Sequence, residues 1–208
     1  MKKLLFIISI AILALTVKAQ KKTTLGINGG VNFSNLTSEN YAESNRKVGF
    51  YIGILTEIPL TNKFSIQSEL LYAAYGADVI VWTVPRLSEI EYSLDYIQIP
   101  IAGKLDIYRG LSIEIGPSFN FLVREKGYRP GSMNIVDGNG NIIKNQKDID
   151  PHGSSFELSG LVGVSYKLNK SWVVSARYTQ GLSNAFDPDS RREDAKNNAF
   201  RFGLGYIF

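Results

Sequence analysis

The chain of 208 residues has no cysteine and one histidine, His152. Without cysteine there is no disulfide staple and no lipid attached at a cleavage-site thiol, so the fold must close by other means. One imidazole leaves little material for His-based chemistry. His152 sits in Asp150-Pro151-His152-Gly153-Ser154, a polar stretch read as a solvated loop, and no enzyme is expected. Asp148, Asp150, Asp187, Asp189 and Asp194 lack the D-x-D-x-D-G spacing of a calcium loop, so neither a metal nor a cofactor is expected. No dense cluster of Lys and Arg occurs, which argues against nucleic acid as a partner. Beyond Val17 no apolar run approaches the roughly 20 residues of a spanning helix. If this chain resides in a membrane, it must do so as closed strands.

What is present begins with an address. Met1-Lys2-Lys3 is a short cationic start, Leu4 to Val17 is apolar or small, and Val17-Lys18-Ala19 fits the small-residue cleavage rule. This reads as a secretory signal peptide over residues 1–19, leaving a domain over residues 20–208. Cleavage removes Lys2, Lys3 and Lys18, so the 23 Lys and Arg drop to 20 against 19 Asp and Glu, a net charge of +1. Part of the basic character therefore belongs to the signal.

The rest of the chain alternates. Eight segments place large apolar residues at every second position: 25–33, 48–58, 64–72, 90–105, 111–124, 155–168, 172–181 and 200–208. Period two means a strand with two unlike faces. The segments run about nine to fifteen residues, nearer the 9–11 of a tilted spanning strand than the 5–6 of a globular one. In the fourth, apolar residues shift from Ile90, Tyr92 and Leu94 to Ile97, Ile99 and Ile101, which predicts a bulge near Asp95-Tyr96. Pro117 lies on the apolar face of the fifth and predicts a second bulge.

The connections alternate as well. Short turns at 59–63, 106–110 and 169–170 contrast with long polar stretches at 35–47, 76–89, 125–154 and 183–198. Short turns on one side and long loops on the other is the asymmetry of outer-membrane barrels. A soluble lipocalin-type barrel would turn the apolar face inward. The glycine-rich polar face, with aromatics near the ends of the other face, favours the membrane. The fold class expected is therefore all-β: an eight-stranded antiparallel up-and-down transmembrane β-barrel after a cleaved signal peptide. Its interior would hold Glu57, Glu69, Glu114, Glu157, Arg177 and Arg201, with Lys104 lower down. In so narrow a barrel these charges are expected to pair and plug the lumen. In the third long loop, Asp137-Gly138 and Asn139-Gly140 between two short apolar runs predict a hairpin, an edge at which a partner could add a strand.

The last segment, Phe200-Arg201-Phe202-Gly203-Leu204-Gly205-Tyr206-Ile207-Phe208, resembles the C-terminal signal strand of bacterial outer-membrane barrels. That resemblance implies that Phe200, Phe202, Leu204, Tyr206 and Phe208 are read by the barrel-insertion machinery. The segments 26–34 and 64–72, Tyr96-Ile97-Gln98-Ile99-Pro100, Ala176-Arg177-Tyr178 and the Ala19-Gln20 junction resemble the Bacteroidetes outer-membrane β-barrel family that includes PorT-like proteins. The fold is also similar to the small OmpA/OmpX-type barrels. These resemblances imply a place in the cell outer membrane, with lipid around the barrel and an envelope protein partner at the long loops. They imply a structural or interaction role. The alternatives are a small-solute porin and a PorT-like accessory of a protein secretion system.

Overall fold

The computed structural model describes residues 23–39, 41–83, 86–130, 135–136, 142–143, 146–149, 151–187 and 194–208. The signal-peptide segment 1–19 lies outside the described residues. The strands are β1 (Thr24–Thr37), β2 (Tyr41–Pro59), β3 (Phe64–Thr83), β4 (Arg86–Tyr108), β5 (Leu111–Pro130), β6 (Ile135–Val136), β7 (Ile142–Ile143), β8 (Gln146–Ile149), β9 (Phe156–Lys167), β10 (Trp172–Gly181) and β11 (Lys196–Ile207). Strands β1 to β5 and β9 to β11 form an antiparallel cylinder of eight. β4 pairs with β5, and β11 pairs with β1 from Gly26↔Ile207 to Thr37↔Lys196. Closure satisfies the backbone of every barrel strand along both edges, the condition for crossing a bilayer with strands. β6 and β7 form the third-loop hairpin, Ile135↔Ile143 and Val136↔Ile142; its turn lies outside the described residues.

Alternation decides which face meets what. On the outside, Ile52 is 61% and Ile115 67% exposed, and the apolar band continues through Ile27, Val31, Leu70, Val162 and Leu204. On the inside, Lys104, Glu114 and Arg201 are each 1% exposed. A soluble barrel would show the reverse. Two aromatic rows bound the band. Phe33, Phe50, Tyr72, Phe121, Phe156, Tyr178, Phe200 and Phe202 form the outer row, with ring contacts from 4.8 Å (Tyr178–Phe200) to 6.2 Å (Phe33–Phe202). Trp172, Tyr206 and Phe208 anchor the row on the short-turn side, 5.0 and 5.6 Å apart in sequence of contact. These are the girdles of a transmembrane barrel.

Three expectations are corrected. The stretches 35–47 and 76–89 are strand rather than long loop: β1 and β2 are joined by residues 38–40, and β3 and β4 by 84–85. Their polar residues extend the barrel wall past the outer aromatic row, where alternation no longer needs an apolar outer face. The register shift falls between Asp95 and Tyr96 as expected, but the extra residue lies on β5 and not on β4. Asp95 pairs with Arg124 while Tyr96 pairs with Leu122, so Val123 is the extra residue. β4 keeps its even positions inward from Ile90 to Lys104. Its apolar set shifts because the interior itself becomes apolar above the membrane, where Ile90, Tyr92 and Leu94 are buried. Pro117 makes no bulge. Its ladder with β9 runs unbroken from Leu111↔Tyr166 to Phe121↔Phe156, and Gly103↔Ile115 and Pro100↔Ser118 share one register on the β4 side. The missing N–H costs a rung without demanding an extra residue.

Close approach of β4 to β5 depends on Gly116 beside that proline. A Cβ there would fall 2.0 Å from the Ile101 carbonyl oxygen and 2.8 Å from the Ala102 Cα. Backbone cannot yield as a side chain does. Gly116→Ala should destabilise the folded barrel by about 1–3 kcal/mol, read as a lower urea midpoint for the fast-migrating band of unheated samples on gels. An unchanged midpoint would show that the ladder has slack here.

Candidate functional site

The lumen is filled by side chains that meet across its axis, in levels set by strand register. Nearest the short turns, Lys104 of β4 donates to Glu57 Oε2 of β2 at 3.1 Å and to Gln67 Oε1 at 3.3 Å. Lys167 Nζ lies 3.5 Å from Glu57 Oε1, and Ser65 donates to the same carboxylate at 3.0 Å. Below this level opens a vestibule of about 240 Å³ lined by Glu57, Lys63, Asp106, Lys167 and Lys170.

The middle level turns on Arg177 of β10. Its Nε donates to Glu114 Oε2 of β5 at 2.7 Å, and its Nη1 lies 2.7 Å from Glu69 Oε1 of β3. Asn28 adds a bond to Glu69 Oε2 at 3.1 Å. One guanidinium thus ties three walls of the barrel together. Lys104 Nζ, 4.0 Å from Glu114 Oε1, links this level to the one below. Fork geometry suits arginine to the task; a lysine could not hold two carboxylates in one plane.

Higher up, Arg201 of β11 donates from Nη1 to Gln98 Oε1 of β4 at 3.0 Å and lies over the Tyr51 ring at 5.5 Å. Glu157 accepts from Asn197 at 2.6 Å, from Ser159 at 3.2 Å and from the Tyr96 hydroxyl at 3.3 Å. The structure therefore brings Glu57, Glu69, Glu114 and Arg177 into one ion-pair cluster with Lys104 and Lys167. It places Arg201 against an amide and a ring, and Glu157 against neutral donors. Gln98, Asn28 and Asn197 were not singled out from the sequence. Gln98 is legible as the polar alternate between Ile97 and Ile99; Asn197 is not, because the stretch 183–198 reads as loop from its polarity whereas β11 already begins at Lys196.

Above the charged levels the interior turns apolar. Tyr51, Leu71, Ala73, Tyr75, Leu94, Tyr96 and Ala199 form one buried cluster. A second, at the mouth, joins Leu36, Ala77, Val79, Ile90 and Tyr92 to Ala185, Phe186 and Ala195 from the connection between β10 and β11. That connection folds inward: the Phe186 ring packs 5.3 Å from Tyr92. The segment before β9 joins it. Ser154 N donates to Ala185 O at 2.8 Å, Asp187 N to His152 O at 2.9 Å, and Gly153 N to Glu125 Oε2 at 2.6 Å. His152, at a φ of 52°, is part of this cap. Among the described residues no group of His, Asp and Glu is arranged to hold a metal ion.

The terminal residues occupy both the lipid face and the seam. Phe200, Phe202 and Leu204 are 41%, 50% and 47% exposed on the outer face. Tyr206 and Phe208 lie in the lower aromatic row, and Phe208 N donates to Leu25 O of β1 at 2.9 Å.

The closed cylinder with its two aromatic girdles agrees with what the family comparison finds. The family described as "Outer membrane protein beta-barrel domain" matches residues 18–187. The chain belongs to that family. Its place is the cell outer membrane. No protein of curated function matches the sequence. Among solved structures, Ail, the attachment invasion locus protein of Yersinia pestis, superposes with a TM-score of 0.51 at 15% identity over 90% of this chain and 100% of that one. Neisserial surface protein A (NspA) gives 0.54 at 12% identity, with coverages of 90% and 100%. At such identities the likeness is one of fold.

Removing one partner from a buried ion cluster costs more than the cluster is worth, because the remaining charges stay desolvated. Arg177→Met should destabilise the barrel by about 3–5 kcal/mol. Adding Glu69→Gln and Glu114→Gln to it should restore most of that loss. Urea unfolding in lipid bicelles reads both effects, and a triple variant no better than the single one would refute this account of the lumen.

Proposed function

We propose that this protein is a non-conducting outer-membrane scaffold with a structural or interaction role, acting through the part of its wall that stands outside the membrane. The observation that carries this is the contrast between its two halves. Inside the membrane, Arg177 and Arg201 reach across the axis to other strands, and Asn197 does so above them. Beyond the membrane, β2 to β5 continue, with full lengths of 19, 20, 23 and 20 residues against 12, 10 and 12 for β9 to β11. The taller half is widened by β8, which pairs with β5 from Gly127↔Ile149 to Pro130↔Gln146. A tall, one-sided sheet serves recognition of a partner and adds nothing to transport. An exposed sheet edge of this sort accepts an added strand.

The same reading takes residues 1–19 as a cleaved signal peptide. It takes Phe200, Phe202, Leu204, Tyr206 and Phe208 as the pattern read by the insertion machinery. The support is that β11 is the strand that closes the barrel against β1. The family's small barrels carry no cofactor in this reading, and the chain performs no catalysis. The small-solute porin is disfavoured by cross-axis bonds at successive levels and by the inward-folded cap. The PorT-like accessory of a secretion system remains the alternative, with the tall wall as its docking face. A secretion defect on deletion of the gene would favour it.

In planar bilayers the folded protein should give no large, stable unit conductance; one that did would overturn the scaffold reading. Cross-linking in native outer membranes should capture an envelope partner, and deletion of residues 131–145 should release it without loss of the folded band.

A further inference from the structure

We propose that the vestibule at the short-turn end of the barrel is a binding site for a short zwitterionic peptide, a ligand with a free carboxylate at one end and a free amine at the other. In the outer membrane the short turns face the periplasm. The site therefore lies at the opposite end from the tall wall and does not depend on the scaffold reading. Its volume of about 240 Å³ far exceeds the roughly 10–15 Å³ that one water needs and suits a ligand of dipeptide size.

The rim is built from all three short turns and is held by backbone bonds. Asp106 N donates to Lys63 O at 2.8 Å, and Lys167 N donates to Gly110 O at 2.9 Å, so each turn is tied to the next. Within the turns, Thr61 Oγ1 accepts from Phe64 N at 2.9 Å, and Asn169 Oδ1 accepts from Ser171 N and Trp172 N, both at 2.8 Å. A rim already held in place lowers the ordering cost of binding.

Charge selects the ligand. In the lower lumen, Glu57, Glu69 and Glu114 are balanced by Lys104, Lys167 and Arg177. What remains around the opening is Lys63 and Lys170 against Asp106. Asp106 already accepts from Ser112, and among the described residues neither Lys63 nor Lys170 has a carboxylate partner. These two exposed ammoniums stand at the mouth, where a carboxylate enters. The floor has the opposite sign, because Glu57 lines it and is only 7% exposed. A phosphate or other compact dianion would meet Glu57 and Asp106 as like charges. A zwitterion offers its carboxylate to the lysines and its ammonium to the carboxylates, which is the complementary arrangement. Pro59, Phe64 and Ile207 supply apolar wall for its side chains.

The test uses the full chain, isotopically labelled and folded in detergent micelles, with amide signals followed by NMR. The probes are alanyl-alanine, N-acetyl-alanyl-alanine, alanyl-alanine amide and inorganic phosphate. Alanyl-alanine should shift the signals of residues 59–63, 106–110 and 169–170 saturably. The acetylated peptide and the amide should each bind about fivefold or more weakly. A Lys63→Gln, Lys170→Gln variant should lose alanyl-alanine affinity by a similar factor, while Lys126→Gln at the opposite end of the barrel should leave it unchanged. Heat-modifiable gel mobility confirms folding, and Lys170→Gln alone serves if the double variant fails that check. No saturable shift with alanyl-alanine, or equal affinity in wild type and variant, overturns the proposal. Equal binding of the acetylated peptide or the amide, or tighter binding of phosphate, overturns the zwitterion as ligand. No protein partner enters the measurement, so its failure leaves the scaffold reading standing.

Discussion

The ladder between β1 and β11 is the constraint from which the rest follows. A bilayer offers the backbone no hydrogen-bonding partner, so each unpaired N–H or C=O costs several kcal/mol there. Twelve paired positions from Gly26↔Ile207 to Thr37↔Lys196 remove the last free edge. Once the seam closes, the outer face is committed to lipid and the inner face to a space too narrow for bulk water. Both the apolar band and the buried charges are consequences of that geometry.

Within the lumen, one arginine does what a hydrophobic core does in a soluble domain. Arg177 is reached by carboxylates from β3 and β5, and Lys104 continues the chain of contacts to β2. These contacts join strands that are not neighbours in the sheet, so they brace the cylinder across its axis. Charges in such a setting are tolerated where they are paired and hydrogen-bonded, as Arg177 is with Glu69 and Glu114. The apolar clusters above them, closed by Phe186 and Ala195, seal the extracellular end by ordinary burial. Plug and cap use different physics because one lies at membrane depth and the other outside it.

The asymmetry of the wall links fold to role. Strands β2 to β5 continue past the aromatic row, while β9 to β11 stop near it and send their connection inward. The polar strand extensions on one side are the surface on which the proposed interaction role rests. The bulge at Val123 marks the change of environment. Below it β5 alternates for lipid, and above it Arg124 and Lys126 face outward toward headgroups and water.

Alternation of apolar and polar residues determined, without any structure, that the chain makes strands with two unlike faces, that they number eight in a closed set, and that Glu69, Glu114, Arg177 and Arg201 point inward. Period two is a local property and needs no tertiary context. Where polar residues appear on both faces, as at 35–47 and 76–89, the local signal is the same for loop and for strand outside the membrane. Only pairing with a neighbour distinguished them. Likewise the partner of each buried charge was decided by register across eight ladders. Register is a long-range quantity: it gave Arg177 two carboxylates and left Arg201 with Gln98 and Tyr51, although the two arginines sit opposite one another on adjacent strands.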